Sequence, residues 1–180
     1  EFSSIKRKIL YPGFKTISMV AVMSEQKDNI TLVRAAAELK KRGEKVKTIF
    51  VGDGPCRQSI EDEIDKLGLK DDVIIKIYPP RKEVLEIIKS TDIYVLSTNG
   101  EGLSRSILEA MAAKVPIIAT DVSGNTGFIE NGKNGILVPL KNHIKMADEI
   151  SKLLKDTKKR KELATYAFNK LKKENSIEVA

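Results

Sequence analysis

The chain has 180 residues, 41% of them hydrophobic, and a formal net charge of +7. That length and apolar content predict one domain with a sizeable core. The longest early apolar run, residues 17–23, is far short of the roughly 18 residues that a membrane span needs, and no signal peptide precedes it, so we expect a cytoplasmic protein.

The remaining composition narrows the kinds of ligand. A single cysteine, Cys56, and a single histidine, His143, leave no pair for an internal disulfide and no cluster with zinc-site spacing. The positive charge favours anionic partners, such as nucleotide phosphates or acidic lipid headgroups. Nucleic acid is the weaker candidate, because the chain has no nucleic-acid motif and only 5% of its residues are aromatic.

Short β-branched runs alternate with longer amphipathic runs from residue 16 onward, a pattern typical of βαβ units around a parallel sheet. Strands are predicted at residues 16–23, 45–54, 72–78, 92–98, 116–121 and 135–140. Helices are predicted at residues 28–43, 55–69, 81–91, 104–114, 143–156 and 158–174. The predicted fold class is therefore α/β: a Rossmann-like, doubly wound parallel sheet of about six strands with helices on both faces.

The same pattern sets the domain limits and the place of a site. Residues 1–15 lack the periodicity and are expected to be a linker or a remnant of cloning, whereas residues 16–175 form the predicted domain. In doubly wound sheets, ligands bind outside the carboxyl ends of the strands, near the point where strand order reverses. The loops that follow strands are residues 24–28, 52–55, 78–81, 98–104 and 122–127.

A glycine-rich turn follows the second predicted strand, with Gly52 and Gly54 two positions apart. It resembles the start of a dinucleotide-binding fingerprint, but Arg57 holds the place of the third glycine, so NAD and FAD binding are rejected. Two explanations of the turn stay open. It is either a tight entry into a helix or a turn whose exposed backbone N–H groups approach a ligand.

The segment TNGEGLS, residues 98–104, leads into a predicted helix and carries the first of two glutamates eight positions apart, Glu101 and Glu109. Several unpaired N–H donors converge where a helix begins, which in outline is a phosphate site. An alternative for Glu109 is a capping box with Ser106, in which the glutamate binds only the backbone at the helix start.

The ordered motifs of the chain resemble those of a known enzyme family. SEQKD at 24–28, GDGP at 52–55 and the run 101–140, with its E-x7-E pattern, are similar to the carboxy-terminal, donor-binding domain of retaining GT-B glycosyltransferases. The resemblance is to the large E-x7-E family that makes bacterial polysaccharides, glycolipids and lipid-linked oligosaccharides. It extends over roughly residues 16–160, in the order of the family.

The resemblance implies a role for each matching residue. Glu109 would accept hydrogen bonds from the ribose hydroxyls of a nucleotide sugar, and Glu101 would contact hydroxyls of the transferred sugar near the reacting carbon. Backbone N–H groups around Gly102, Leu103 and Ser104 would hold the diphosphate at the helix start. The pair of glutamates would then bracket one nucleotide sugar.

Two further groups complete the predicted site. Lys27 would neutralise the diphosphate and, with Glu101, is predicted to be catalytic. Tyr78 corresponds to the region that lodges the base, although packing explains a tyrosine there equally well. With Gly52 and Gly54, it is included among the predicted substrate-binding residues.

Three positions depart from the family pattern. Val22 stands where relatives usually carry an arginine that acts with the lysine on the diphosphate, which weakens the inference of full activity more than that of nucleotide binding. Lys114 replaces the glycine that normally ends the E-x7-E helix, at a cost of about 1 kcal/mol if a left-handed cap is needed. Gly127 stands where glutamate is common.

The predicted function is the donor-binding half of a retaining, metal-independent glycosyltransferase. It would use a nucleoside-diphosphate sugar, with UDP favoured, and a glycan or lipid-linked acceptor. Since no D-x-D motif occurs, neither a metal nor another cofactor is expected. Two alternatives stay open: a non-catalytic nucleotide-binding or regulatory module, and a UDP-sugar epimerase of the same fold.

The resemblance also implies partners beyond the nucleotide-sugar donor. A GT-B enzyme needs an amino-terminal domain of the same protein, so this chain by itself would be an incomplete and inactive fragment. The basic helices near the carboxyl end and the lipid-linked acceptors of the family suggest contact with an anionic surface at the inner face of a membrane. Ordinary packing explains those helices equally well.

Overall fold

The computed structural model describes residues 2–100, 102 and 104–177. Its centre is a six-stranded sheet in which every neighbouring pair of strands is parallel. The strands are β1 (Lys15–Val20), β2 (Val46–Val51), β3 (Val73–Lys76), β4 (Ile93–Leu96), β5 (Ile117–Thr120) and β6 (Ile136–Val138). Their spatial order is β3-β2-β1-β4-β5-β6. This is the doubly wound order of Rossmann-like folds, which confirms the predicted fold class.

Helices connect and cover the strands. They are α1 (Asn29–Lys41), α2 (Arg57–Lys66), α3 (Arg81–Ser90), α4 (Arg105–Ala112), α5 (Ser123–Thr126), α6 (His143–Lys155) and α7 (Thr157–Ile177). Helix α1 packs against α2 and α6, whereas α4 packs against α3 and α7. The sheet is thus enclosed by helices, and every residue of β4 and β5 is buried, as expected for strands covered on both faces.

Helix α1 illustrates why the helices form where they do. Its apolar residues Leu32, Ala36 and Leu39 recur at helical spacing and are buried. Gly43, with a φ of 75°, follows the helix, and its N–H group donates to the Lys40 carbonyl at 2.9 Å. Only glycine adopts that left-handed conformation without steric cost, so the predicted end of this helix has a physical cause.

All six predicted strands and all six predicted helices are present, with ends that differ from the predicted ends by up to three residues. The short helix α5 was not predicted. Helix α2 begins at Arg57, with Cys56 as its N-cap, rather than at Pro55. A single 3-10 turn, Phe2–Ser4, lies in the segment for which no structure was expected.

The amino-terminal segment, residues 2–14, lies against the domain. Arg7 pairs with Asp92 at 2.8 Å, and the backbone N–H of Lys8 donates to the Ser90 hydroxyl at 3.0 Å. These contacts and the side chain of Leu10 form a groove at the amino ends of the strands, across the sheet from the expected site. Whether the segment also links this domain to another stays a prediction.

The structure adds one observation on the membrane. Within the described part of the chain, none of the helices combines the length and the apolar character that a bilayer crossing requires.

Candidate functional site

The strand order reverses between β1 and β4, and these two strands part at their carboxyl ends. Their backbone pairing, in the described residues, consists of Ile17 with Ile93 and Ser18 with Tyr94. Further along β1, the Tyr94 hydroxyl takes the place of a strand partner: it accepts from the Val20 N–H and donates to the Val20 carbonyl, both at 3.3 Å. Doubly wound proteins bind their ligands at such a reversal point, so the loops that follow β1 and β4 are the candidate site.

Hydrogen bonds join these two loops to each other. The Asn99 N–H donates to the Gln26 carbonyl at 2.7 Å, and the Gln26 side-chain amide donates to the Gly100 carbonyl at 2.8 Å. The Ser97 hydroxyl donates to the Asp28 carbonyl at 2.8 Å. The loop after β1 and the start of the E-x7-E segment thus hold each other in place.

Lys27, the predicted catalytic cation, lies in this joined region and is half-buried. Its backbone N–H donates to the Ser24 carbonyl at 3.1 Å, and its carbonyl accepts from the Ser97 hydroxyl at 3.3 Å. The carbonyl of Lys27 is therefore held beside the segment that leads to α4, and its N–H is held within its own loop.

The glycine-rich turn after β2 contacts the loop after β1. A Cβ atom on Gly52 would lie 2.1 Å from the Ala21 carbonyl oxygen, and one on Gly54 would lie 2.4 Å from the Met23 carbonyl oxygen. The two N–H groups are already used, because Gly52 donates to the Lys76 carbonyl at 3.0 Å and Gly54 to its neighbour, the Asp53 carboxylate, at 2.8 Å. Close backbone packing therefore explains both glycines, and their contact with a substrate stays a prediction.

Glu109, the predicted ribose ligand, projects from α4 toward the first residue of α3. Its Oε1 atom accepts a hydrogen bond from Nη2 of Arg81 at 2.6 Å. The side chain of Glu109 is 11% exposed, whereas that of Arg81 is 49% exposed. Both residues line an open surface depression together with Arg105 and Leu108.

The capping-box alternative for Glu109 is wrong. The N-cap of α4 is Ser104, not Ser106, and its side chain makes no capping hydrogen bond. The Ser104 hydroxyl instead lies 3.2 Å from that of Ser106. By contrast, Asn142 does cap α6, where its Oδ1 accepts from the Lys145 N–H at 2.9 Å.

The start of α4 therefore keeps backbone donors that no N-cap side chain satisfies. Gly102, one of the predicted diphosphate ligands, is exposed in a bend just before it. Ser104, another, is buried at the helix start. Glu101 and Leu103 lie outside the described residues, so their predicted roles stay predictions.

Tyr78 follows β3 and is 78% exposed, with a φ of 44°. A buried packing role, one of its two explanations, is not what the structure shows. Pro79 and Pro80 follow Tyr78 in the chain, and Arg81 comes next. Because Arg81 bonds Glu109, the expected base region is close in sequence to the partner of the expected ribose ligand. A contact between Tyr78 and a base stays a prediction.

The departures from the family pattern have visible structural consequences. Val22, where an arginine was expected, is 57% exposed in the loop after β1. Lys114 has a φ of 56°, and its N–H donates to the Met111 carbonyl at 3.1 Å. The left-handed cap is therefore kept with a lysine in it. Gly127 ends the short helix α5 and is exposed.

Two residues that shape this edge were missed from the sequence. Tyr94 was assigned to a buried strand, and its hydroxyl gave no sign of a partner. Arg81 was assigned to the start of a helix, but its position directly after Pro80, at the carboxyl end of a strand, was a signal that could have identified it.

The part of the chain that the structure describes holds no group of three or more histidine, cysteine, aspartate or glutamate side chains able to bind a metal ion. The metal-independent mechanism stays a prediction.

Comparisons with known proteins agree on one family. The family model described as "Glycosyl transferases group 1" matches residues 2–170. Alpha-D-kanosaminyltransferase of Streptomyces kanamyceticus is 36% identical over 135 residues, which are 75% of this chain and 35% of that protein.

Two solved structures share the fold. A mutant of S. aureus TarM, in complex with Fondaparinux, alpha-GlcNAc-glycerol and UDP, has a TM-score of 0.84 and 26% identity, over 97% of this chain and 36% of that one. The C-terminal domain of a glycosyl transferase group 1 family protein (LpcC) from Francisella tularensis has a TM-score of 0.80 and 24% identity, over 89% of this chain and 86% of that one.

The fraction of each matched protein that the chain covers indicates which part of such a protein the chain represents. It spans 35% of the kanosaminyltransferase and 36% of TarM, but it matches 86% of the separately crystallised C-terminal domain. The six-stranded parallel sheet and these matches lead to one conclusion: the chain belongs to the group 1 glycosyl transferases and has the fold of a GT-B carboxy-terminal domain.

Proposed function

We propose that this chain is the donor-binding half of a retaining, metal-independent glycosyltransferase that uses a nucleoside-diphosphate sugar, with UDP as the favoured nucleotide. The observation that carries the proposal is the placement of Glu109. Its side chain is 11% exposed, and its carboxylate faces the first residue of α3 rather than its own helix start. Such a carboxylate suits two ribose hydroxyls, because an ionised acceptor makes stronger hydrogen bonds than a neutral one.

The diphosphate has a matching place at the start of α4. The helix dipole and the N–H groups without an N-cap side chain favour a negatively charged group there. Lys27, fixed by its backbone beside Ser97, would supply a cation. Glu101 would contact the transferred sugar, as the family resemblance implies.

These groups would act on the leaving diphosphate. When the bond between the anomeric carbon and the phosphate oxygen breaks, negative charge grows on that oxygen, and fixed donors with a cation bind this charge more strongly than the intact donor. The acceptor hydroxyl would form the new carbon–oxygen bond on the face that the diphosphate leaves, and its proton would pass to a diphosphate oxygen. The product keeps the configuration of the donor.

The relatives support the class of donor. The TarM complex contains UDP and alpha-GlcNAc-glycerol, and the name of the kanosaminyltransferase specifies an alpha linkage. An α-linked donor and a retaining reaction would yield such a product. The acceptor is proposed to be a glycan or a lipid-linked molecule held against an amino-terminal domain of the same protein, without which the chain binds donor but transfers nothing.

Calorimetric titration of the chain with UDP, UDP-sugars and GDP-mannose tests the proposal. We expect UDP compounds to bind in the presence of EDTA. Glu109→Ala should weaken their binding by roughly tenfold or more, the equivalent of one charged hydrogen bond. Binding that Glu109→Ala leaves unchanged would refute the ribose role. A requirement for divalent metal would refute the metal-independent mechanism.

A second function is favoured by one observation. Val22 places an apolar, 57% exposed side chain where the family usually has a cation. A chain that binds nucleotide but stabilises the leaving diphosphate poorly would serve as a non-catalytic or regulatory module. Transfer activity of the full-length protein with UDP-sugars would exclude this alternative, and formation of a UDP-sugar epimer without an acceptor would instead reveal an epimerase.

The cellular place of the protein is proposed to be the cytoplasmic face of a membrane. Along the outward face of α7, Lys158, Lys161, Lys172 and Lys173 are exposed, and Tyr166 between them is 50% exposed. A basic face with an interfacial tyrosine suits an anionic lipid surface.

A further inference from the structure

The ion pair between Arg81 and Glu109 joins two helices that are distant in sequence. Arg81 is the first residue of α3, and Glu109 lies in the middle of α4, 28 positions later. Within the described residues, Arg81 is the side chain that bonds the Glu109 carboxylate. A carboxylate as little exposed as this one needs such a partner, because a mostly buried charge without one is costly.

The contact with Arg81 does not use all the acceptor positions of the Glu109 carboxylate. Nη2 of Arg81 bonds Oε1 at 2.6 Å, and an ionised carboxylate has two oxygens with about four acceptor positions. The guanidinium therefore fixes the orientation of the carboxylate without occupying all of its acceptor positions. Acceptor positions therefore remain for hydroxyl donors of a ligand.

We propose that Arg81 is a positioning residue for the nucleoside part of the donor. It holds Glu109 in the orientation that receives the ribose hydroxyls, so that binding does not have to order a mobile glutamate. This inference rests on the proposed function, since it presumes that Glu109 is the ribose ligand. It adds Arg81 to the site and predicts a selective effect. Loss of Arg81 weakens binding of the nucleoside part of the ligand and leaves binding of the phosphate part unchanged.

A second ion pair provides a matched control. Arg34 of α1 and Glu63 of α2 are joined at 2.7 Å, with side chains 50% and 13% exposed. The corresponding values for Arg81 and Glu109 are 2.6 Å, 49% and 11%. Both pairs join neighbouring helices, but Arg81 directly follows the loop at the carboxyl end of β3, whereas Arg34 lies inside α1. Any general effect on stability of breaking such an ion pair should therefore appear in variants of both pairs.

The experiment measures binding of UDP, uridine and inorganic pyrophosphate to the chain by calorimetry, for the wild type, Arg81→Ala, Arg81→Lys and Arg34→Ala. We expect Arg81→Ala to weaken the binding of UDP and uridine by about tenfold, which corresponds to about 1.4 kcal/mol. The affinity for pyrophosphate should not change. Arg81→Lys should recover part of the loss, because it keeps a cation but not the fork of donors. Arg34→Ala should change none of the three affinities.

A double-mutant cycle completes the test. If Arg81 acts through Glu109, Arg81→Ala should add little to the loss caused by Glu109→Gln. Equal affinities of Arg81→Ala and Arg34→Ala for UDP would overturn the inference, as would an equal loss for UDP and pyrophosphate. Failure of the wild type to bind UDP would instead overturn the proposed function and, with it, this inference. If Arg81→Ala does not fold, Arg81→Gln and Arg81→Lys supply the same comparison.

Discussion

The ammonium group of Lys114 lies 4.4 Å from the centre of the Phe168 ring, while its own backbone is held at a φ of 56°. The residue therefore joins the end of α4 to α7 and occupies a conformation that side chains with a Cβ atom disfavour. The favourable contact with the ring offsets part of the backbone cost.

Replacing Lys114 separates these two effects. Lys114→Ala loses the ring contact but keeps the strained Cβ atom, whereas Lys114→Gly loses both. We expect the glycine variant to be more stable than the alanine variant by about 1 kcal/mol, measured as the free energy of unfolding in urea. Equal stability of the two variants would contradict a strained left-handed cap.

The turn after β2 should not tolerate a side chain. Gly52→Ala places a Cβ atom 2.1 Å from the Ala21 carbonyl oxygen, so we expect a loss of about 2–4 kcal/mol in unfolding free energy from overpacking and backbone strain together. Gly68 also has a positive φ, of 66°, but open space around it. Gly68→Ala should therefore cost only about 1 kcal/mol. A similar loss for both would show that the close approach is unimportant.

Val22→Arg should strengthen nucleotide binding. A guanidinium in the loop after β1 adds a cation at the proposed diphosphate site, and one charged hydrogen bond is worth roughly tenfold in affinity. Calorimetry with UDP should show the gain, and added salt should reduce it. Val22→Gln, which adds a polar but uncharged side chain, should not reproduce the gain. If glutamine and arginine behave alike, the diphosphate is bound elsewhere.

The basic face of α7 should determine any binding to lipid. Reversing Lys158 and Lys161 to glutamate removes attraction of about 1 kcal/mol for each lysine near an anionic surface, so sedimentation with phosphatidylglycerol vesicles should fall by at least tenfold. Reversing Lys66, at the end of α2, and Lys70, in the turn after it, changes the net charge equally and should leave sedimentation nearly intact. Equal recovery with neutral and anionic vesicles would end the idea of an anionic membrane partner.

Acid should loosen the attachment of α7 to the loop before β6. Hydrogen bonds from Lys133 and Lys170 lower the pKa of Glu130 below its ordinary value of 4.5. The pair with Lys170 therefore stabilises the fold fully above that value, and its contribution is lost as the pH falls through the lower, folded pKa. Urea unfolding between pH 7 and pH 3 should show an acid-dependent loss that is smaller in Glu130→Gln and in Lys170→Met. An unchanged pH dependence in Glu130→Gln would contradict this attachment.

The sequence predicted the sheet well because its strands are continuous β-branched runs, such as PIIATD at 116–121, separated by amphipathic helices. It did not predict α5, because the four residues SGNT carry no apolar periodicity and their helix depends on packing around the buried Asn125. The loops of the candidate site were predicted from their places after the predicted strands and from the family resemblance. The partner of Glu109 was not, because Arg81 is 28 positions away and sequence spacing carries no information on contacts between helices.

The hydroxyl group of Tyr94 has one more consequence. It satisfies the donor and the acceptor of Val20 without bringing a second main chain alongside. The side chain of Tyr94 thereby continues the join between the two central strands beyond their main-chain pairs, Ile17 with Ile93 and Ser18 with Tyr94. One phenol thus replaces backbone hydrogen bonds at the edge of the sheet that carries the candidate site.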